Sequence, residues 1–233
     1  MNIIIDNLVK RFGEKTAVNI EHLAIGQGEL VGLVGNNGAG KTTLFRLVLD
    51  LLKADQGSVR LDEWFVDKSE GWKSSVAAFI DAGFLIDFLT PEEYFSFLAR
   101  IFGLPNDKLE QKMHLFARFM GNEILNQKKY IRNFSAGNRQ KIGIVGALMV
   151  DTPIVILDEP FNFLDPTSQL LIRDILATHS RQTGATVWVS SHNLNHIADL
   201  CDRVVVLKDG EVFEDMDNAQ HNVEGKLNHY FSL

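Results

Sequence analysis

The segment ELVGLVGNNGAGKTTLFRLV, residues 29–48, constrains the fold more than any other. An apolar run ends at Gly35, four residues follow, and Gly40, Lys41 and Thr42 then open a helical pattern. Strand, glycine loop and helix in that order are the setting a phosphate-binding loop requires. Gly35, Gly38 and Gly40 let the backbone turn its N–H groups around β- and γ-phosphates, and the following helix adds its positive end. Lys41 supplies a point charge to the β/γ oxygens, and the Thr42 hydroxyl can complete a Mg²⁺ shell. The implied ligand is a nucleoside triphosphate with Mg²⁺.

Other segments must meet this loop for chemistry to follow. PIVILDEP is a short apolar run ending in two acids. Carboxylates at the end of a buried strand call for a cation and a water, which sit at the carboxyl edge of a parallel sheet. Asp158 fits the Mg²⁺ shell, and Glu159 can orient and deprotonate the attacking water. ATVWVSSHNLNH brings His192 to the same edge, where an imidazole can hydrogen-bond a γ-phosphate. His196 lies four residues on, and no zinc site is read from the pair.

The bulk properties narrow the partners. A formal charge of −7 without a dense Lys/Arg cluster excludes nucleic acid as a first expectation. The one cysteine, Cys201, fits a reducing compartment and is expected to pack as a small hydrophobe. MNIIIDNLVKRFG reads as a short apolar strand broken by Asp6, with no signal peptide. The apolar stretch Ile142–Val150 is far short of the ~18 residues of a spanning helix, so any membrane service requires a second polypeptide.

The β-branched runs near residue 30 and between 153 and 210 read as strands buried on both faces of a parallel sheet. Between them, residues 79–134 hold nine of the sixteen Phe. A helix there starts with Thr90 as cap, Pro91 at the first position and Glu93 completing a capping box, and stops at Gly103. Tyr94, Phe95, Leu98, Ile101 and Phe102 are expected on its buried face. A helical lobe over 85–145 is thus expected within an α/β core of residues 1–84 and 146–215, followed by a tail at 216–233 that can be a terminal helix or a dimer contact.

With the phosphate loop, acidic strand and His192 in this order, nearly the whole chain resembles the ATP-binding subunit of an ABC transporter. The resemblance implies a P-loop ATPase core with a mainly parallel sheet, an antiparallel N-terminal β subdomain and an inserted helical lobe. It also implies two subunits closing head to tail over two ATP molecules. Gly35, Asn36, Asn37, Gly38, Ala39, Gly40, Lys41, Thr42 and Thr43 match the phosphate loop, Asp158 the metal acid, Glu159 the catalytic acid and His192 the switch histidine. Phe12 matches the adenine-stacking aromatic, with Val18 a weaker contact, although Phe12 also reads as a strand-end core residue. Leu164 and Asp165 in NFLDP match positions that reach across the dimer.

Two departures from the family pattern stand out. Where the pattern has Leu-Ser-Gly-Gly-Gln, this chain has FSAGN, keeping the Ser135 hydroxyl, the Gly137 N–H and a helix start. Ala136 is tolerable unless its position needs a positive φ. The family's Mg²⁺-touching Gln has no counterpart, and spacing puts Asp81 there, as a metal acid or as a plain loop acid.

The function so implied is ATP hydrolysis powering a separate transmembrane permease, through a homo- or heterodimer held at the cytoplasmic face of the membrane. The alternative is a soluble ATPase of the same type driving a cytosolic assembly complex.

Overall fold

The computed structural model describes residues 1–218 and Val223. Its larger sheet is built from β3 (Leu30–Val34), β6 (Val76–Phe79), β7 (Ile154–Leu157), β8 (Thr186–Ser191), β9 (Arg203–Lys208) and β10 (Glu211–Asp217). Their spatial order is β10-β9-β3-β8-β7-β6, and only the β9–β10 pair is antiparallel. Strands β3, β7 and β8 are buried along their whole length, which is why their sequences are nearly unbroken apolar runs. Side chains alternate between the faces: Val155 and Leu157 enter one hydrophobic cluster, Ile154 and Ile156 the other.

Register then positions the site. Val34 lies opposite Ser191 and Leu157 opposite Val189, so β3, β7 and β8 end at one edge. The residues that follow, Gly35, Asp158 and His192, emerge there together.

The smaller sheet is antiparallel and contains β1 (Ile3–Phe12), β2 (Lys15–Ile25), β4 (Gln56–Leu61) and β5 (Trp64–Phe65) in the order β2-β1-β4-β5. With α1 (Lys41–Val48) it covers one face of the larger sheet. The expected break at Asp6 does not occur. Asn7 takes a φ of +49°, and pairing with β4 is irregular between Asp6 and Val9, so the strand bends and continues to Phe12.

On the other face lie α2 (Pro91–Ile101), α3 (Asn106–Met120), α4 (Ala136–Leu148) and α5 (Pro166–Thr183), with the short α6 (Leu194–Ala198) beside β3 and β8. The capping box of α2 is formed on both sides, Glu93 N–H to the Thr90 hydroxyl and Thr90 N–H to the Glu93 carboxylate. The expected buried face needs one correction: Ile101 is 60% exposed, and Ala99 is buried instead. At about 100° per residue, the buried Pro91, Tyr94, Phe95 and Ala99 centre near the direction of Phe102 and leave Ile101 beyond their margin.

The phenylalanines divide. Phe95, Phe116 and Phe119 fill the lobe, whereas Phe84, Phe88 and Phe97 are exposed. Helix α4 belongs to both parts: it packs on β6 and β7, and a Cβ on Gly143 would come within 2.1 Å of the Phe79 ring. The expected boundary at 145/146 therefore falls inside a helix. Cys201 is fully buried, as its setting suggests, and burial pushes its thiol pKa upward. The expected tail at 216–233 starts within β10 and, beyond Asn218 and Val223, lies outside the described residues.

Candidate nucleotide site

The phosphate loop joins β3 to α1. Gly40 precedes the helix with φ +107°, and a Cβ there would come within 2.3 Å of the Ala17 carbonyl. Glycine is required both for the backbone turn and for that approach. No side chain caps α1, so its first N–H groups face the loop. Ala39 N–H closes the turn on the Asn36 carbonyl at 3.0 Å, and the Ala39 carbonyl accepts from Gly210 N–H. Lys41 is buried, and its ammonium donates to the Gly35 carbonyl at 2.6 Å and lies 3.3 Å from Glu159 Oε1. A phosphate entering the loop competes for the same cation.

The acids come from the end of β7. Asp158 accepts from the Thr42 hydroxyl at 2.5 Å and from the Ser190 hydroxyl. Burial raises the Asp158 carboxyl above its ordinary pKa, against the downward pull of those two hydrogen bonds. Glu159 Oε2 meets His192 Nδ1 at 2.8 Å, and its N–H donates to Ser190 Oγ at 2.8 Å. Lys41, Glu159 and His192 thus form a continuous chain of polar contacts at the sheet edge. His196 packs its ring on Phe161 at 4.5 Å, and burial holds its pKa down.

Phe12, Lys15, Ala17, Asn37, Gly38, Gly40, Thr42, Thr43 and Glu159 line a cavity of about 310 Å³ around Lys41. Phe12, at the end of β1, is 52% exposed with its ring on that cavity, which excludes the strand-end core reading. Val18 requires a correction, because it is fully buried in the core and offers a ligand no surface. Alternation in β2 turns Val18 and Ile20 inward and leaves Ala17 on the cavity.

The FSAGN segment borders a second cavity, lined by Ser135, Ala136, Gly137, Asn138, Lys141, Phe163 and Asp165 with the end of α3. Ser135 is the N-cap of α4, its hydroxyl accepting from Asn138 N–H at 3.2 Å. Asp165 caps α5 through Ser168, and those hydrogen bonds lower its pKa.

Comparison with known proteins settles what this arrangement belongs to. The family model described as ABC transporter matches residues 18–162. The bacitracin transport ATP-binding protein BcrA of Enterococcus faecalis is 32% identical over 217 residues, covering 92% of this chain and 69% of that protein. The ABC transporter ATP-binding protein NatA of Bacillus subtilis is also 32% identical over 217 residues, covering 90% of this chain and 87% of the relative. The chain belongs to the ABC transporter ATP-binding family. Among solved structures, an ATP-binding subunit of an ABC transporter superposes with a TM-score of 0.84 at 25% identity, covering 100% of this chain and 94% of that one. A dimeric ATP-binding cassette in a post-hydrolysis state with ADP and Pi has the same fold, with a TM-score of 0.81 at 23% identity and coverage of 93% and 98%.

The chain is accordingly an ABC ATPase subunit, with ATP as its nucleotide. Its departures from the family pattern can be located. Ala136 is the first residue of α4 and is absent from the residues of positive φ, so the extra methyl carries no backbone strain. Gly137 is the glycine the segment needs, since a Cβ there would come within 2.6 Å of the Phe163 carbonyl. Asp81 accepts from Gly83 N–H at 2.7 Å and pairs with Arg46 at 3.3 Å, on the rim of a cavity shared with Thr42 and Asp158. Leu164 is buried, and the neighbouring Phe163 projects instead, 73% exposed with φ +62°.

Four residues of this site went unread in the sequence. Ser190 bridges Asp158 and Glu159, Gln140 holds the Glu159 carbonyl, and Lys15 and Ala17 build the wall beside Phe12. Only the alternation of β2 offered a signal in advance, for Ala17.

Proposed function

We propose that the subunit drives a membrane transporter by closing with a second ATP-binding subunit over two ATP molecules and reopening after hydrolysis. The observation that carries this is the Glu159 carboxylate standing between Lys41 and His192, 3.3 Å and 2.8 Å away, beside the phosphate loop. In this reading Lys41 and the loop N–H groups bind the β- and γ-phosphates while Phe12 stacks on the adenine. Glu159 accepts a proton from a water whose oxygen attacks the γ-phosphorus, and ADP leaves with the bridging oxygen. His192 orients the carboxylate and reaches the γ-phosphate. Ser135 and Gly137 grip the ATP held by the partner, and Asp165 borders the same contact.

The donor set fits Mg²⁺. A hydroxyl and a carboxylate are hard oxygen ligands, and Thr42 and Asp158 meet directly beside the phosphate loop. The burial that raises the Asp158 pKa makes its charge costly without a cation. Asp81 is a further oxygen donor on the rim. Mg²⁺ bound there would neutralise developing charge on the phosphates.

No helix among the described residues is long and apolar enough to cross a membrane. The exposed Phe84 and Phe88, on the segment joining core to lobe, and Phe97 on α2 support docking of a separate permease, holding the subunit at the cytoplasmic face. The test is the solution mass of Glu159→Gln with and without ATP and Mg²⁺. A nucleotide-dependent doubling is expected; a protein that binds ATP yet stays monomeric at all concentrations would count against self-pairing. Recovery of a membrane protein with the native subunit after detergent extraction checks the permease.

A further inference from the structure

Gln140 lies in the first turns of α4 and is only 6% exposed, and no role assigned to the phosphate loop or the acids accounts for it. Its Nε2 donates to the backbone carbonyl of Glu159 at 3.0 Å. Glu159 has φ +48°, a conformation that a non-glycine residue keeps only when its surroundings over-determine it. The surroundings do so here from both sides. The Glu159 N–H is held by Ser190 Oγ, and its carbonyl accepts from the Asn162 N–H at 3.1 Å within the loop and from Gln140, the donor that reaches it from α4.

Helix α4 meets the following loop twice more. The Phe163 carbonyl packs against Gly137, and Lys141 Nζ stands 4.0 Å from Asp165. Ala136, Arg139 and Gln140 also line the cavity that contains Thr42, Asp158 and Glu159. The start of α4 and residues 159–165 are therefore packed together as one unit. Ser135 stands at one end of it and the Glu159 carboxylate at the other.

We propose that Gln140 is a positioning residue: it ties the Glu159 main chain to α4, so that seating one ATP against Ser135 and Gly137 sets the carboxylate serving the other ATP of the pair. The inference rests on the function proposed above, in which the start of α4 faces the partner's ATP and Glu159 faces the subunit's own. An amide suits the task, since it donates to a carbonyl without bringing a charge that competes with Lys41 for the carboxylate.

Gln140→Leu keeps the bulk and removes the donor. Steady-state ATP hydrolysis, ATP-dependent solution mass and thermal melting of the full chain are to be compared with wild type and Glu159→Gln. The expected result is a kcat about ten- to a hundred-fold lower, a KM for ATP close to wild type, and an ATP-dependent dimer that outlasts the wild-type one. The variant would then behave like Glu159→Gln although the acid is present. Gln140→Glu adds a pH readout: its rate relative to wild type should rise as pH falls, because a protonated carboxyl donates to the carbonyl and a carboxylate cannot. An unchanged kcat overturns the inference, and so does a loss in which KM rises while melting temperature and dimerisation fall, since that is what simple destabilisation produces. If Glu159→Gln itself hydrolyses ATP at the wild-type rate, the assignment of Glu159 is what fails, and the inference falls with it.

Discussion

The phosphate loop and the FSAGN segment both face ATP in the proposed cycle, yet they are built on opposite plans. The loop closes on itself: Lys41 is tied to Gly35 six residues back, and Ala39 to Asn36 three back. FSAGN closes only through the Asn138 N–H on the Ser135 hydroxyl three residues back, with no buried cation inside it. Its serine does no more than cap its own helix, and the cavity beside it is walled by α3, α4 and the loop after Glu159. A site organised by neighbours in sequence is ready before ligand arrives, whereas one assembled from distant segments and left open awaits what a second subunit brings.

The sharpest way to break this comparison is to disable chemistry and leave both binding surfaces intact. Glu159→Gln should lower kcat by about 10²–10⁴-fold while the ATP-dependent dimer persists, measured as phosphate release and solution mass on the same sample. Phe12→Ala tests the self-contained half. Losing a stacked base costs about 1–3 kcal/mol, so ATP affinity in equilibrium dialysis should weaken with kcat at saturation nearly unchanged.

Ser135→Ala tests the open half and should act differently. Monomeric ATP affinity should stay at the wild-type level, while dimerisation weakens and α4 loses about 1 kcal/mol of N-cap stabilisation, seen as a lower melting temperature. If Ser135→Ala weakened ATP binding to the monomer, the two halves would not be separate.

Asp158 gives a prediction with a defined sign in pH. Its folded pKa is raised by burial, so the folded state binds the proton more tightly than the unfolded one. The stabilising contribution is full below the unfolded carboxylate pKa and is lost as pH rises through the folded value. Asp158→Asn should therefore melt a few degrees above wild type at pH 8, with the gap closing toward pH 4, while Mg²⁺-dependent hydrolysis is lost. The smallest effect belongs to Asp81→Asn: a change of a few-fold in the Mg²⁺ concentration for half-maximal hydrolysis, read by titration, with the Arg46 pairing weakened at little cost because the pair is exposed.

Legibility in the sequence follows the same division. Gly40, Lys41 and Thr42 could be assigned from spacing because the loop pattern that names them is local, although Thr42 meets its partner Asp158 across 116 residues. Ser190 and Gln140 could not, since an ordinary serine and an ordinary glutamine become meaningful only when β8 and α4 bring them to Glu159. Val18 was misplaced although its alternation with Ile20 was present in the sequence, because the resemblance pointed to the neighbourhood and not to the face. Phe163 rather than Leu164 is the exposed residue of this loop, and its φ of +62° marks a turn that no side-chain pattern announces.

By itself, then, the sequence determined the α/β class, the glycine loop proposed to hold phosphate and the carboxylates beside it, because apolar runs and glycine spacing are enforced by local sterics and burial. Only the tertiary structure decided which groups hold Glu159 in its strained conformation, and that FSAGN faces a cavity of its own. The contacts that hold Glu159 join residues 19 and 31 positions apart, and the FSAGN cavity likewise gathers separate segments, whose meeting is set by sheet register and helix packing.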